Sequence, residues 1–355
     1  METLAIPTGA SDLTAEWLTA AMAVDGATVT AVEATPVGTG QVADSVRLHL
    51  TWSPPEAGPP TVVVKVTSSS ETSRSAALGT RTYEVEVGFY NDLAPSLPVH
   101  RPGCWYAGYD PATIGYAVVL DDMAPAVAGD QLRGCSVDDA ALGVEELALL
   151  HGTRWGDPAL ADIPWLDRHG PDHADSIGGL VGMMVPGFLE RYASSLPDDV
   201  VALTERYVPM LGAVARSETA PRTVVHNDFR NDNLLFGGPT GRVCVVDWQT
   251  VALGAGLSDV AYFLGGSLLP DDRRREEESI VRHYHERLRA AGGDLSWDDC
   301  WTGYRRHAFA GLTMAIVASM LVVRTDRGDQ MFVAMAERAA RHAIDLGTEA
   351  LLAGA

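Results

Sequence analysis

The sequence predicts an α+β chain of two lobes, a small antiparallel-sheet N-lobe over residues 1–123 and a mainly helical C-lobe over residues 124–355. Three observations carry that expectation. Short apolar segments with strand-like alternation, separated by Gly- and Pro-rich turns, fill the first part of the chain. Beyond Met123 the apolar residues recur at helical spacing in several long segments. One polar stretch interrupts them: in Val224 to Gln249, VVHNDFRNDNLLFGGPTGRVCVVDWQ, two apolar runs flank a loop crowded with His226, Asp228, Arg230, Asp232 and Asn233.

Leu13 to Met22 places apolar residues at helical spacing, with Ser11 or Asp12 as its N-cap. Strands are expected at Thr28 to Ala34, at Ser45 to Trp52, where Val46, Leu48 and Leu50 alternate, and at Thr61 to Val66. The turn SPPEAGPP separates the second from the third. Val37 to Ser45 joins the first two, and its Gly38 and Gly40 let backbone N–H groups approach phosphate oxygens with no Cβ in the way. A plain hairpin turn uses glycine in the same manner. Lys65 is the single charge in the apolar strand Val62 to Val66; burying it requires a partner, and the α- and β-phosphates of a nucleotide are one. A helix over Arg81 to Leu93 offers Glu84 and Glu86 as counter-ions. Ile114 to Leu120 is a further apolar strand, breaking into Asp121-Asp122-Met123 at the expected lobe boundary.

In the second lobe Ser136 caps a helix over Val137 to His151, whose last residue suits the helix dipole and reads as structural. Helical segments follow over Ile177 to Leu189 and Leu203 to Val214. After the polar loop, Gly254 and Gly256 make a tight turn, and Asp259 stands at a helix start, where it either caps the helix or ties down the loop. Arg275 to Ala291, Cys300 to Arg324 and Gln330 to Leu346 complete the lobe, with Gly292-Gly293 and Asp326 to Asp329 as breaks. Arg305, Arg306, Arg338 and Arg341 read as solvated faces; Phe309, Met314, Ile316, Met320 and Phe332 read as core or as the wall of a partly apolar acceptor site.

The chemistry that calls for the loop's residue types is phosphoryl transfer. A carboxylate beside an attacking hydroxyl accepts its proton, and a hard Mg²⁺ ion takes oxygen ligands such as an Asn amide and an Asp carboxylate. Asp228 is the candidate base, and Asn233 and Asp247 are the candidate metal ligands. His226 is expected to hold the loop by hydrogen bonding rather than to touch substrate. The spacing His226-x-Asp228-x₄-Asn233 is that of the protein-kinase catalytic loop, and Asp247 stands where the kinase D-F-G aspartate would. Trp248-Gln249 replaces Phe-Gly, however, and no A-P-E follows.

At these residues the chain resembles the aminoglycoside-phosphotransferase and choline-kinase-like superfamily, most closely its bacterial ecdysteroid-kinase-like branch, over about Val37 to Leu346. The resemblance implies a two-lobed protein-kinase-like fold and an ATP-dependent O-phosphotransferase acting on a hydroxyl of a small molecule. It implies that Glu86, ahead of Phe89-Tyr90 and Leu93, pairs with Lys65, and that Ser45 lies near phosphate. Asp121 and Met123 then belong to a hinge whose backbone reads the adenine edge. Arg230 takes the place of the kinase lysine that neutralises the transferring phosphoryl, a loop salt bridge being the other account. Ala43 at the third glycine of G-x-G-x-x-G, and Gln249 where relatives often carry an acid, depart from the pattern. The branch and the apolar C-lobe favour a partly apolar alcohol as acceptor over an aminoglycoside or an amino alcohol. A nucleotide-binding pseudokinase with a regulatory or scaffold role is the rival from another class; a binding module has no need of a base such as Asp228.

Charge and cysteine usage narrow the partners further. Against 26 Lys and Arg stand 47 Asp and Glu, a formal net charge of −21, which disfavours a nucleic-acid backbone or an anionic membrane. Cys104, Cys135, Cys244 and Cys300 are scattered without a C-x-x-C pair, so a reduced, cytoplasmic setting is expected rather than a disulfide framework or a zinc site. The N-terminal residues lack the basic and apolar regions of a signal peptide. The longest uncharged run, Ala308 to Val323, is shorter than the ~20 apolar residues of a membrane span. ATP, Mg²⁺ and a small-molecule alcohol are the expected partners.

Overall fold

The protein is described by a computed structural model covering residues 4–37, 42–167 and 173–353. Its contacts divide the chain into two units: Met1–Ser96, Arg101–Ala124 and Asp247–Gln249 in the first, and Leu97–His100, Pro125–Val246 and Thr250–Ala355 in the second. The architecture is α+β as expected, an antiparallel sheet followed by helices. The units are not two contiguous segments, because three residues from beyond the polar loop pack with the N-terminal one.

The first unit opens with α1 (Ala15–Met22), β1 (Thr28–Pro36), β2 (Ala43–Ser53) and β3 (Thr61–Thr67). Two helices, α2 (Glu71–Thr80) and α3 (Thr82–Gly88), lead through a π-helical turn at Phe89–Leu93 to β4 (Cys104–Asp110) and β5 (Gly115–Asp121). The strands form one sheet in the order β1-β2-β3-β5-β4, every pairing antiparallel. Strand alternation sends Val62, Val64 and Val66, all 0% exposed, into a core with Leu18, Trp52, Ala117 and Val119. Lys65, of opposite parity, lies on the other face, directly across from Ser45 on β2 and Val118 on β5.

Several local expectations for this unit are corrected. Thr14, not Ser11 or Asp12, caps α1 by accepting the Trp17 N–H at 3.1 Å; Asp12 instead takes the Thr8 N–H and hydroxyl. The helix expected from Arg81 begins at Thr82, because Arg81 sits at φ 58 and splits α2 from α3. Strand β4 was not anticipated, and its burial shows why: CWYAGYD does not alternate between core and solvent.

The second unit contains β6 (Val127–Ala128), α4 (Val137–Thr153), α5 (His173–Tyr192), α6 (Asp198–Arg206), α7 (Val208–Arg216) and the short strands β7 (Thr223–Val225), β8 (Leu234–Phe236), β9 (Cys244–Val245) and β10 (Ala252–Gly254). Then come α8 (Gly256–Ser267), α9 (Pro270–Ala290), α10 (Trp297–Arg306), α11 (Ala310–Leu321), α12 (Asp326–Asp345) and α13 (Thr348–Ala353). The unit is built around α8, of which every residue except Ser258 is buried. Strand β7 pairs with β10, and β8 lies between β6 and β9. Ser136 caps α4 as expected, accepting the Asp139 N–H at 3.1 Å.

Here too the structure departs from the pattern. Asp326 to Asp329 is the first turn of α12 rather than a break: Thr325 accepts the Gly328 N–H, and the two aspartates suit the helix N-terminus. Residues 307–309 tighten into a 3-10 turn that divides the helix expected over Cys300 to Arg324. Phe309, Ile316 and Phe332 are 4% exposed or less and belong to the helical core, not to an acceptor wall. Arg338 is no solvated residue; it donates to the Gln131, Leu132 and Gly266 carbonyls at 2.7–3.1 Å. Among the described residues no helix is long and apolar enough to cross a membrane.

Candidate active site

The first unit gathers Lys65, Glu86 and Asp247. The Lys65 ammonium lies 2.8 and 2.7 Å from the two Glu86 carboxylate oxygens and 2.7 Å from Asp247 Oδ1. Burial by itself lowers the pKa of a lysine, but the Asp247 and Glu86 carboxylates outweigh it and hold Lys65 above its ordinary value. Of the two glutamates offered by the sequence, Glu86 is the partner, at 1% exposure; Glu84 pairs with Arg81 at the surface. Helical spacing explains the choice, since residues two apart on α3 point in different directions.

Two further residues fix this group. The Tyr116 hydroxyl donates to Glu86 Oε2 at 2.5 Å, and burial with the adjoining carboxylate keeps that phenol protonated. Gln249 Nε2 donates to Asp247 Oδ2 at 3.1 Å. Between Asp247 and Gln249 the Trp248 indole stacks flat on Phe89, centroids 4.0 Å apart and planes within 6°. That stack accounts for Trp at this position and anchors Asp247, whose backbone is left-handed at φ 66. A non-glycine residue there costs of order 1–3 kcal/mol and persists only where its surroundings hold it.

Of the other residues expected near nucleotide, Ser45 faces the same side of the sheet as Lys65. Gly38 and Gly40 lie outside the described residues. Asp121 donates its N–H to the Gly103 carbonyl, and its carboxylate accepts from Gly103 N and Trp105 Nε1, which fastens β4 to the end of β5. Met123 follows β5, partly exposed, next to Asp122, which pairs bidentately with Arg47.

The second unit gathers Asp228, Arg230 and Asn233. Asp228 Oδ1 accepts from the Tyr262 hydroxyl at 2.9 Å and from Arg230 Nε at 3.1 Å. Its Oδ2 accepts from Asn233 Nδ2 at 2.9 Å. The same Asn233 nitrogen donates to the Asp228 carbonyl at 2.8 Å, which leaves the amide oxygen as the atom suited to a hard cation. Arg230 also pairs with Asp232, so the structure shows it as a loop ion pair spanning two carboxylates. Burial and the Asp228 charge raise the Tyr262 phenol well above its usual range, keeping it a donor.

The loop carrying these groups is tied down from behind. Asp259 on α8, 1% exposed, accepts the His226 N–H at 2.6 Å and the Asn227 N–H at 2.9 Å. Of the two roles open to it, tethering the loop is the one it performs; Ala255 is the cap residue of α8. His151 lies against Asp259 at 3.3 Å and Tyr284 at 2.9 Å, a structural place as anticipated. His226 holds the loop through its ring, Nε2 to the Val246 carbonyl at 3.1 Å and Nδ1 from the Asp228 N–H at 3.3 Å. On the other side Gln131, 1% exposed, accepts the Asn231 N–H and donates its own N–H to Asp232. Beyond Asn233, β8 runs antiparallel to β9, and Val246, the residue before Asp247, donates its N–H to the Asn233 carbonyl at 3.0 Å. Tyr116, Tyr262 and Gln131 were not singled out from the sequence. Each acts on partners at least 30 residues away in the chain, which leaves no local spacing to detect.

Comparison with known proteins agrees with this architecture. Residues 183–297 match the Ecdysteroid kinase-like family. No curated protein sequence matches the chain. Among solved structures, the GDP complex of aminoglycoside 2'-phosphotransferase-IIIa is similar at TM-score 0.56 and 13% identity, covering 91% of this chain and 96% of that one. An ethanolamine kinase of Plasmodium vivax is similar at TM-score 0.55 and 10% identity, covering 90% and 85%. Macrolide 2'-phosphotransferase type I is similar at TM-score 0.52 and 18% identity, covering 94% and 97%. The chain therefore has the fold of the aminoglycoside-phosphotransferase and choline-kinase-like superfamily.

Proposed function

We propose that this chain, with the fold of that superfamily, transfers the γ-phosphoryl group of ATP to a hydroxyl of a small molecule. The observation that carries the reading is the partly buried Lys65 ammonium, held by Glu86 and Asp247 from positions far apart in sequence. A cation so held is suited to the α- and β-phosphates of a nucleotide, with Ser45 beside it on the sheet and the stretch of Gly38 and Gly40 preceding it in the chain. Asp121 and Met123 are the hinge residues assigned, through their backbone, to the adenine edge.

Asp228 would accept the hydrogen bond of the acceptor hydroxyl and take its proton as the new P–O bond forms and ADP leaves. Tyr262, Arg230 and Asn233 orient its carboxylate for that role. Asn233 and Asp247 are assigned to Mg²⁺, which when bound neutralises phosphate charge. An amide oxygen and a carboxylate fit an ion that keeps water and phosphate oxygens as its remaining ligands.

For the acceptor, a partly apolar alcohol is favoured over an aminoglycoside or amino alcohol. That preference rests on the match of residues 183–297 to the Ecdysteroid kinase-like family.

The test is turnover of ATP with Mg²⁺ against alcohols, sterols, amino alcohols and aminoglycosides, with phosphorylated product read by mass. Asp228→Ala should lower kcat by about 100- to 10,000-fold while ATP still binds. Near-parental turnover in that variant would remove Asp228 from the reaction. Tight ATP binding without any product across the panel would favour a pseudokinase, and absence of ATP binding would overturn the nucleotide reading altogether.

A further inference from the structure

Val42 and the first residues of β2, Ala43 and Asp44, follow the glycine-bearing stretch in sequence. They are fastened at two points to Ser68 and Ser69, just past the end of β3. The Tyr83 hydroxyl donates to the Val42 carbonyl at 2.9 Å and accepts the Ser68 N–H at 3.2 Å. Asp44 accepts the Ser68 hydroxyl and the Ser69 N–H, each at 2.9 Å. Tyr83 is 2% exposed, and its ring stacks on Tyr116, centroids 4.2 Å apart and planes within 10°. Tyr116 in turn donates to Glu86, whose two oxygens grip Lys65. One continuous path of contacts therefore runs from the start of β2 through two stacked phenols and a buried carboxylate to the ammonium.

We infer that Tyr83 and Tyr116 are positioning residues that hold the entry to β2 and the Lys65 ammonium in one fixed relation, so that a nucleotide's phosphate chain meets both together. The inference rests on the nucleotide-binding reading above. Neither tyrosine touches the nucleotide in it. Their hydroxyls act through Val42, Ser68 and Glu86, and stacking keeps the two phenols from moving independently. A ligand without phosphates has no use for that relation, so its affinity is indifferent to the hydroxyls.

The test is calorimetric binding of ATP with Mg²⁺, and of adenosine, to the full chain and to Tyr83→Phe, Tyr116→Phe, the double variant and Asp44→Asn, with thermal melting as the folding check. Each tyrosine variant should weaken ATP binding by about tenfold. Adenosine affinity should stay within about twofold of the parent. Because the two hydroxyls serve one path, the double variant should lose less than the product of the single losses. If Tyr83→Phe does not fold, Tyr116→Phe and Asp44→Asn carry the same comparison. Equal weakening of ATP and adenosine, or unchanged ATP affinity in folded variants, would overturn the inference while leaving the nucleotide reading intact. A parent chain that binds no ATP would overturn both.

Discussion

Asp259 and Glu86 are carboxylates at 1% exposure, and each is tolerated because its charge is fully engaged. Glu86 faces an ammonium and a phenol, whereas Asp259 faces two backbone N–H groups and an imidazole. The Asp259 bonds set the backbone beside Asp228, since Asn227 is held left-handed at φ 64 next to the base. Replacing Asp259 by Asn turns one acceptor oxygen into an NH₂ facing a donor, and leaves a buried N–H without its charged partner. Asp259→Asn should lower unfolding stability by about 1.5–3 kcal/mol. It should also lower kcat, because the tether and the base share one loop; chemical denaturation and initial rates check the two effects separately. Full stability with lost activity would move Asp259 from support into the chemistry.

Helix α4 approaches α8 closely because Gly143 has no side chain: a Cβ there would lie 2.6 Å from the Phe263 ring. Phe263 meets Phe229 of the loop edge-on at 5.1 Å, and Phe229 meets the His226 ring edge-on at 5.7 Å. A larger residue on α4 is thereby felt at the loop through three rings in contact. Gly143→Val should cost about 1–3 kcal/mol of stability by overpacking. It should lower turnover more than ATP affinity, since the displaced rings adjoin Asp228 rather than Lys65. Melting temperature, kcat and ATP affinity distinguish that outcome from a uniform loss.

Of the acidic residues described, only Glu86, Glu146, Asp259 and Glu277 are buried, so the net charge of −21 is borne mostly at the surface. His342 is 0% exposed and bonded to the Tyr304 hydroxyl at 2.8 Å, with Glu277 and Arg273 in the same buried network and Asp345 at its edge. Burial first, and the Arg273 cation second, hold the imidazole well below its ordinary value, so the folded protein keeps it neutral. Unfolded chains protonate the same ring near the usual value of about 6.5. Below that pH the unfolded state binds the extra proton, and stability falls as pH drops through about 6.5. Melting temperature should therefore decline between about pH 8 and 5.5, and His342→Gln should show a shallower decline. An unchanged slope in the variant would assign the dependence to other groups.

The polar loop, the lysine in an apolar strand and the carboxylate after a second apolar run were legible from residue order alone. So were the Ser136 cap, the alternation of β2 and β3, and the division into a sheet part and a helical part. Each is a local pattern, set by the two-residue period of a strand, the period of a helix or the chemistry of a cap. Other matters depended on which distant residues meet. Packing selected Glu86 over Glu84, made Asp259 a tether rather than a cap, turned Asp121 toward β4, and put Phe309, Ile316 and Phe332 in the core. It also brought Tyr116 to Glu86, Tyr262 to Asp228 and Arg338 to the Gln131 and Leu132 carbonyls. A side chain that satisfies one buried polar atom across a long stretch of chain leaves no period in the sequence, and only the folded arrangement shows its partner.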